Sequence, residues 1–275
     1  MTFTDKKDKI ITLKFVKGKF IMKVALITGA SSGIGLAAAE LFLSKGYKVY
    51  GVARKPFNGA FPCFQADICD NEKTDAVLRE IYEREKRLDV LVNNAGFGIA
   101  GAMCDTSYEN ISRIVNTNLT ALCALSGKAV NYMKHTGGKI INVSSVGGIM
   151  PLPYQATYSA TKAGVEIFSR ALANEVRRYN IKVCAVLPGD TKTGFTGARI
   201  FEGGDETAVK SVKKMERDEL KGASPEKAAK VIYKLAERKN PPPRVAVGFV
   251  SKLEIFLSRF LSARTVNRII RKIYT

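Results

Sequence analysis

Residues 23–46 read KVALITGASSGIGLAAAELFLSKG and pass from an apolar strand pattern, through a glycine-rich loop, to a helical pattern. Gly29, Gly33 and Gly35 lie in the loop. Because glycine has no side chain, the backbone there can turn tightly and approach a pyrophosphate, whose charge the N-terminus of the next helix stabilises. The stretch therefore predicts a β-strand, a phosphate-binding loop and an α-helix closed by Gly46.

The same alternation continues along the chain. Further apolar, β-branched runs, typical of buried strands, occur at residues 47–53, 61–67, 89–94, 137–145, 181–189 and 244–248. Helical patterns occupy about 70–87, 108–134, 157–179 and 224–239, and a long polar segment fills 190–223. Strands that alternate with helices need a parallel sheet with helices on both faces. The prediction is a single α/β domain with a doubly wound parallel sheet, the Rossmann fold.

The composition limits the kinds of site that the chain can carry. His135 is the sole histidine, which disfavours a histidine-based metal site and a Ser–His triad, so no metal is expected. The five cysteines form no CxxC pair, which indicates reduced thiols and a cytoplasmic protein. The sequence contains no run of 18 apolar residues, so no transmembrane helix is predicted. No nucleic-acid-binding motif accompanies the net charge of +19, so no nucleic-acid partner is expected.

Two tyrosines stand four residues ahead of a lysine, Tyr82 before Lys86 and Tyr158 before Lys162. This spacing puts both side chains on one helical face. A tyrosine that acts as an acid or base near neutral pH needs its pKa lowered by roughly 2–3 units, or about 3–4 kcal/mol. A positive charge at ~4 Å in partly screened surroundings supplies about 4 kcal/mol, but far less on an exposed face.

The surroundings separate the two pairs. Tyr82 lies in REIYEREKRLD, a heavily charged stretch, whereas Tyr158 follows a buried strand that ends at Ser145. Ligands bind at the carboxyl ends of strands in this fold. The sequence therefore predicts a catalytic Tyr158 and a structural Tyr82.

Six motifs follow one another between residues 23 and 200: TGASSGIG (28–35), NNAG (93–96), NTN ending at Asn118, NVSS (142–145), YSATK (158–162) and PGDTKT (188–193). In type and order this set resembles the short-chain dehydrogenase/reductase family in its common single-domain form. The resemblance implies an oxidoreductase that moves a hydride between a nicotinamide cofactor and the C=O or CH–OH group of a small molecule. A non-catalytic, NADP-sensing protein on the same fold is the alternative.

The resemblance also implies a role for each catalytic residue. Tyr158 exchanges the proton with the substrate oxygen, and Ser145 holds that oxygen. Lys162 lowers the pKa of Tyr158 and hydrogen-bonds the nicotinamide ribose. Asn118 supports a water-linked proton path to Lys162. Ser144 is the less favoured serine of the pair.

The cofactor residues follow in the same way. The resemblance assigns to the cofactor the loop residues Gly29, Ser31, Ser32, Gly33, Ile34 and Gly35, then Asp67 and Ile68 at the adenine, then Asn94, Ala95 and Gly96, then Tyr158 and Lys162, and lastly Pro188, Gly189, Thr191 and Thr193 near the nicotinamide.

The end of the second strand indicates which nicotinamide cofactor is used. NAD-selective sites commonly place Asp or Glu there to bind the ribose 2′-hydroxyl. Here Ala53 occupies that position, and Arg54 and Lys55 follow it. Two cations can pair with a 2′-phosphate, which favours NADP(H). Alternatively, Arg54 is a solvated loop residue.

The substrate is predicted to be a lipophilic alcohol or ketone, steroid- or retinoid-like. The polar segment 194–223 is expected to cover it as a lid. The apolar residues available to contact it are Val146, Ile149, Met150, Leu152, Tyr154 and Phe195. Alternatively, these residues are ordinary loop packing.

The excess charge divides the chain into three parts. Residues 1–23 contain seven Lys and two Asp, and residues 251–275 contain six Lys or Arg and one Glu. Because Met22 precedes the first strand, residues 1–21 are predicted to lie outside the fold. Residues 22–248 are the Rossmann-fold catalytic domain, and 249–275 a basic amphipathic tail. The tail packs on the domain or on a partner subunit of a dimer or tetramer, or it makes peripheral membrane contact.

Overall fold

The structure is a computed structural model that describes residues 22–275 and two short strands before them. The strands are β1 (Phe15–Val16), β2 (Lys19–Phe20), β3 (Val24–Thr28), β4 (Lys48–Ala53), β5 (Cys63–Gln65), β6 (Val90–Asn93), β7 (Ile99–Ala100), β8 (Gly138–Val143), β9 (Ile181–Leu187), β10 (Ile200–Phe201) and β11 (Arg244–Ala246). The helices are α1 (Gly33–Ser44), α2 (Asn71–Glu85), α3 (Tyr108–Val115), α4 (Ala121–Met133), α5 (Ala156–Glu175), α6 (Glu206–Leu220), α7 (Pro225–Glu237), α8 (Phe249–Ser258) and α9 (Ala263–Tyr274).

Seven strands form one parallel sheet in the order β11-β9-β8-β6-β3-β4-β5. The strand order reverses at β3, because β4 and β5 extend the sheet to one side and β6, β8, β9 and β11 extend it to the other. A crevice opens at this reversal, at the carboxyl ends of β3 and β6. The predicted doubly wound parallel sheet is confirmed.

Alternation along the strands divides the core into two layers. In β3, Ala25 and Ile27 face one layer, and Val24 and Leu26 face the other. The first layer is covered by α1 and α7, and the second by α2, α4 and α5. Strands buried on both faces explain why their sequences read as nearly continuous apolar runs.

Two elements differ from the sequence-based expectation. Residues 108–133 are helical, as predicted for 108–134, but a π-helical turn at Asn116–Thr120 separates α3 from α4. The long polar segment at 190–223, for which no strand or helix was predicted, contains β10 and the fifteen-residue helix α6. Asp205 caps α6 by accepting a hydrogen bond from the N–H of Ala208 at 2.9 Å.

Strands β1 and β2 and the basic tail lie outside the seven-stranded sheet. The prediction that residues 1–21 are an extension falls on residues outside the described ones, apart from β1 and β2, which pair with each other. The basic tail forms α8 and α9. Across residues 22–275, no helix has both the length and the apolar character needed to cross a bilayer.

Candidate active site

The glycine-rich loop joins β3 to α1 at the crevice. Gly29 has a φ of +66°, and a Cβ atom there would lie 2.9 Å from Asn94 Nδ2. A Cβ atom at Gly35 would lie 2.2 Å from the carbonyl oxygen of Gly29. Side chains at either position would collide with the site, so the loop requires glycine. The side chain of Ser32 at the N-cap does not cap α1, which leaves the first N–H groups of the helix available to an anion.

Asn94 fixes this loop to the end of β6. Its Nδ2 donates a hydrogen bond to the carbonyl oxygen of Thr28 at 3.0 Å. The backbone N–H groups of Asn94 and Ala95 both donate to Thr28 Oγ1, each at 3.0 Å. The predicted residues at the ends of β3 and β6 are therefore held as one unit.

Ser145 and Tyr158 lie side by side beyond the carboxyl end of β8. A Cβ atom built on Gly147 would lie 3.4 Å from Ser145 Oγ and 3.5 Å from a ring carbon of Tyr158. Ser145 Oγ accepts a hydrogen bond from the N–H of Gly147 at 3.0 Å. By contrast, the Ser144 hydroxyl points away and donates to the carbonyl oxygen of Lys162 at 2.7 Å. The structure thus gives the two serines different surroundings.

Lys162 lies one helical turn after Tyr158 on α5, and only 5% of it is exposed. Its Nζ donates to the carbonyl oxygen of Val143 at 3.0 Å and lies 5.8 Å from the centroid of the Tyr158 ring. Burial lowers the pKa of Lys162 to about 8. Desolvation is therefore the main influence on this ammonium group.

Burial also raises the pKa of Tyr158, while the neighbouring Ser145 hydroxyl acts in the opposite direction. This direction is contrary to the sequence-based expectation that Lys162 lowers it. The reason is that the phenol is desolvated, while the ammonium of Lys162 is directed to Val143. A neutral phenol retains its proton, which suits a proton donor.

Asn118 occupies the π-helical turn and is almost completely buried. Its Oδ1 accepts from the N–H of Phe97 at 3.0 Å, and its Nδ2 donates to the carbonyl oxygen of Phe97 at 2.9 Å. A Cβ atom at Gly96 would lie 2.9 Å from Asn118 Oδ1 and 3.6 Å from Lys162 Nζ. The turn thus aims the amide at the backbone between β6 and β7, close to the lysine.

A cleft of about 1410 Å³ connects these groups. Of the predicted site residues, those lining it are Gly29, Ser31, Ser32, Gly33, Ile34, Arg54, Lys55, Asp67, Ile68, Asn94, Ala95, Gly96, Ser145, Tyr158, Lys162, Pro188, Gly189, Thr191 and Thr193. Gly35 and Asn118 lie behind this surface.

Arg54 and Lys55 reach the cleft from the loop after β4, and both are exposed. Neither forms an ion pair with another residue in the part of the chain that the structure describes. Both cations are therefore available to an anionic group at this end of the cleft.

Tyr82 has no comparable surroundings. Its ring packs against Tyr132 with centroids 5.3 Å apart, and it does not line the cleft. Lys86 follows α2 in a left-handed conformation with φ of +55°, so it no longer continues the helical face.

The sequence profile described as short chain dehydrogenase matches residues 23–200. The chain belongs to the short-chain dehydrogenase/reductase family. Members of this family are oxidoreductases that use NAD(P)(H) and act on small molecules through carbonyl or alcohol groups.

Three relatives illustrate the similarity. A 3-ketodihydrosphingosine reductase from Bacteroides thetaiotaomicron is 41% identical over 236 residues, which cover 82% of this chain and 88% of that protein. A short-chain dehydrogenase from Streptomyces avermitilis superposes with a TM-score of 0.80 at 30% identity, covering 92% of this chain and 97% of the other. ElxO, solved with NADP bound, gives a TM-score of 0.70 at 27% identity and covers 82% of this chain and 97% of the other.

Residues of segment 194–223 line part of the cleft in this short-chain dehydrogenase/reductase. Strand β10 pairs in parallel with β7, and the ring of Phe195 lies 5.8 Å from that of Tyr158. Arg199 bonds Glu219 on α6, which also accepts from the hydroxyl of Thr196. The segment expected to be a lid is therefore attached to the domain by the β7–β10 ladder, and the Arg199–Glu219 ion pair joins two parts of the segment to each other.

The predicted apolar contacts divide into two groups. Val146, Met150, Leu152 and Phe195 line the cleft. Ile149 packs instead on the cluster around Leu187, and the carbonyl oxygen of Tyr154 accepts from the N–H of Gly101 at 2.9 Å. Neither of these last two residues lines the cleft.

Sequence reasoning missed a group of carboxylates that also line the cleft: Asp190, Asp218, Glu219 and Glu254. Desolvation, followed by the nearby carboxylates, raises the pKa of Asp190 to about 6. Burial raises the pKa of Glu254 as well. No pattern in the sequence indicated this acidic group, because its members come from three separate segments of a basic chain. Three of them lie on α6 and α8, and neither helix was predicted.

Proposed function

We propose that this protein is an NADPH-dependent reductase that converts a ketone on a long-chain, amine-bearing lipid to the secondary alcohol. A substrate of the 3-ketodihydrosphingosine type fits this description. The observation that carries the proposal is the meeting of Ser145, Tyr158 and Lys162 with the glycine-rich loop in one cleft. The raised pKa of Tyr158 supports reduction, because this direction needs a protonated phenol.

The residues fit the nicotinamide dinucleotide that the family uses. Glycine at positions 29 and 35 lets the loop pack closely against itself and Asn94, and the uncapped start of α1 follows this loop. When bound, the cofactor supplies the hydride that the substrate carbon accepts. Lys162, with its buried ammonium, is placed to hold the nicotinamide ribose.

The protein's own residues handle the oxygen and the proton. Ser145 and Tyr158 direct two adjacent hydroxyls at one point of the cleft, where they hold the substrate carbonyl oxygen. As negative charge develops on that oxygen, Tyr158 donates its proton to it. Asn118 then supports return of a proton from solvent through water near Lys162.

Arg54 and Lys55 support the choice of NADPH. They are two cations at the end of β4 that form no ion pair among the described residues, and no carboxylate stands at that position. A 2′-phosphate would accept charge-assisted hydrogen bonds from them. NADH lacks that phosphate and would leave the cations without this interaction.

The carboxylates support an amine-bearing substrate. Asp190 and Glu254 line the cleft, and neither forms an ion pair within the described part of the chain. A substrate ammonium beside the ketone would be stabilised there, whereas an anionic acyl thioester would be repelled. The relative that acts on 3-ketodihydrosphingosine supports the same choice. Steroid and retinoid carbonyls remain the wider lipophilic class expected from sequence.

Steady-state kinetics test the cofactor. We expect kcat/KM to be at least about 10-fold higher with NADPH than with NADH, since a hydrogen bond to a charged group contributes about 1.5–3 kcal/mol. Arg54→Asp should shift preference toward NADH and leave kcat largely intact. Equal efficiency of the wild type with both cofactors would refute the cofactor assignment.

A substrate panel tests the ketone. With NADPH, 3-ketodihydrosphingosine should be reduced more efficiently than a steroid ketone, a retinoid aldehyde or acetoacetyl-CoA. Glu254→Gln should raise KM for the amino ketone and leave KM for the matching ketone without the amine unchanged. If acetoacetyl-CoA is the best substrate, or if Glu254→Gln affects both ketones equally, the amine-recognition proposal is wrong.

A further inference from the structure

Helix α8 turns its apolar side toward solvent. Ser251 and Ile255 are its buried residues, while its large apolar residues are exposed. Phe249 is 79% exposed and Phe260, just after the helix, is 74% exposed. The other exposed apolar residues of this stretch are Val250, Leu253, Phe256, Leu257 and Leu261. Because Phe249, Leu253, Phe256 and Phe260 recur every three or four residues, they share one face.

Helix α9 carries the matching charge. Its cations Arg264, Arg268, Arg271 and Lys272 are exposed, as are Ile269 and Ile273. No residue of α9 is buried. Residues 251–275 contain six Lys or Arg and one Glu. A helix pair with exposed aromatic and aliphatic residues beside cations has the composition of an interfacial membrane anchor.

This surface continues into the cleft. Phe249 and Val250 at the start of α8, and Ile270, Ile273 and Tyr274 on α9, line the same cavity as Tyr158. A molecule that enters between the two helices meets apolar side chains from the surface inward. The opening thus suits a substrate that arrives from a lipid phase.

We propose that α8 and α9 form a docking surface for an anionic lipid bilayer, from which the lipophilic ketone enters the cleft. Charge decides between a bilayer and a second copy of the chain. Self-association of this face would bring two strongly cationic surfaces together, whereas anionic headgroups neutralise it. The docking itself does not depend on the proposed substrate; only the route into the cleft rests on the proposed function.

Vesicle co-sedimentation tests the docking. We expect the full chain to pellet with vesicles of phosphatidylglycerol and phosphatidylcholine, to remain in the supernatant with phosphatidylcholine alone, and to be released by high salt. We expect at least about 10-fold weaker binding from the double variant Phe256→Ser/Phe260→Ser, which removes apolar contact with the bilayer. The double variant Arg264→Glu/Arg268→Glu should weaken binding by at least about 10-fold too, because basic residues near an anionic surface contribute about 1 kcal/mol each.

Matched controls lie elsewhere on the molecule. Ile167→Ser removes another exposed apolar side chain, and Lys134→Glu reverses an exposed cation beyond α4. Both controls should bind like the wild type. None of the six substituted residues lines the cleft, so turnover of a water-soluble ketone and thermal stability should be unchanged in every variant.

Three results would overturn the proposal. The wild type could fail to pellet with anionic vesicles. The α8 and α9 variants could bind as strongly as the controls. Finally, the wild type could bind no vesicles and sediment as an oligomer, while Phe256→Ser/Phe260→Ser sediments as a monomer. This face would then be a subunit contact. Activity on the soluble ketone reports the proposed function separately.

Discussion

The hydroxyl of Tyr158 lies beside Ser145 in desolvated surroundings. This burial favours the protonated phenol, and therefore proton donation to a substrate oxygen. Burial raises the pKa of Tyr158, so the phenol is neutral at physiological pH. Lys162 is desolvated as well, with a pKa lowered to about 8. Burial disfavours the charged form of both groups, but at pH 7 Lys162 still carries its proton and Tyr158 retains its own.

Substitution of the two tyrosines separates catalysis from structure. Tyr158→Phe keeps the ring and deletes the hydroxyl, so turnover should fall by about 10²–10⁴-fold, the usual contribution of general acid catalysis. Tyr82→Phe should be near neutral, because its ring contact with Tyr132 remains. Turnover and NADPH binding would be measured on both. Turnover of Tyr158→Phe within threefold of wild type would contradict the proton-donor role.

Lys162→Met should inactivate the enzyme and yet stabilise the fold. The pKa of Lys162 is lowered from 10.5 to about 8, so charging this lysine in the folded state costs roughly 3 kcal/mol at pH 7. Methionine avoids that cost but loses the hydrogen bond to Val143, which leaves a gain of about 1–2 kcal/mol.

The stability difference between Lys162→Met and the wild type should depend on pH. Below pH 8 both the folded and the unfolded lysine are charged, and the cost is fully present. Between pH 8 and 10.5 the unfolded state holds the extra proton, so the stability of the wild type rises with pH. Urea unfolding should therefore show the gain from Lys162→Met shrinking from pH 7 to pH 10. A gain that is equal at both pH values would count against this account.

At the scale of elements, the β7–β10 ladder holds the substrate segment on the domain. Gly101, directly after β7, has a φ of +147°, and a Cβ atom there would lie 1.8 Å from the carbonyl oxygen of Glu202. Gly101→Ala should separate the two strands, and we expect KM for the ketone to rise while KM for NADPH stays near its wild-type value.

Gly127 on α4 provides the control, because a Cβ atom there meets nothing within 4 Å. Gly127→Ala should keep both KM values and stabilise the helix by up to about 1 kcal/mol. Should Gly101→Ala leave KM for the ketone unchanged, the ladder does not position the substrate segment.

Sequence patterns predicted the elements whose signals are local. Apolar runs identified the strands of the central sheet, and Ser224–Pro225 marked the start of α7, as the structure has it. Helix α6 was missed, since two of its four buried residues, Ala208 and Ser211, are small, which weakens its apolar stripe. The π-helical turn at Asn118 was missed too, because the partner of this side chain, Phe97, lies 21 residues away and the contact leaves no local sequence signal.

The candidate site divides in the same way. Motif residues from five segments line one cleft, as a family pattern implies. The carboxylates Asp190 and Glu254 gave no such signal, because their proximity arises only when α8 packs beside the end of β9. The direction of the pKa shift at Tyr158 also depended on burial, which one sequence does not reveal.

At the scale of the molecule, we expect the catalytic unit to be independent of residues 1–21. Strands β1 and β2 pair with each other in a sheet separate from the seven-stranded one. A chain that begins at Met22 should therefore fold and keep its turnover. Circular dichroism and kinetics on the shortened protein check this, and insoluble or inactive protein would show that the extension is needed.

The packing of α1 against α7 has a consequence for how the protein is made. Phe42 on α1 meets Tyr233 on α7 with ring centroids 5.4 Å apart, although the chain between the two helices is long. On a ribosome that adds about 5–20 residues per second, α7 emerges roughly 10–40 s after α1. During that interval this face of the sheet lacks α7, one of the two helices that cover it. The nascent chain is then open to chaperones and to aggregation, and translation pauses before residue 225 would prolong that exposure.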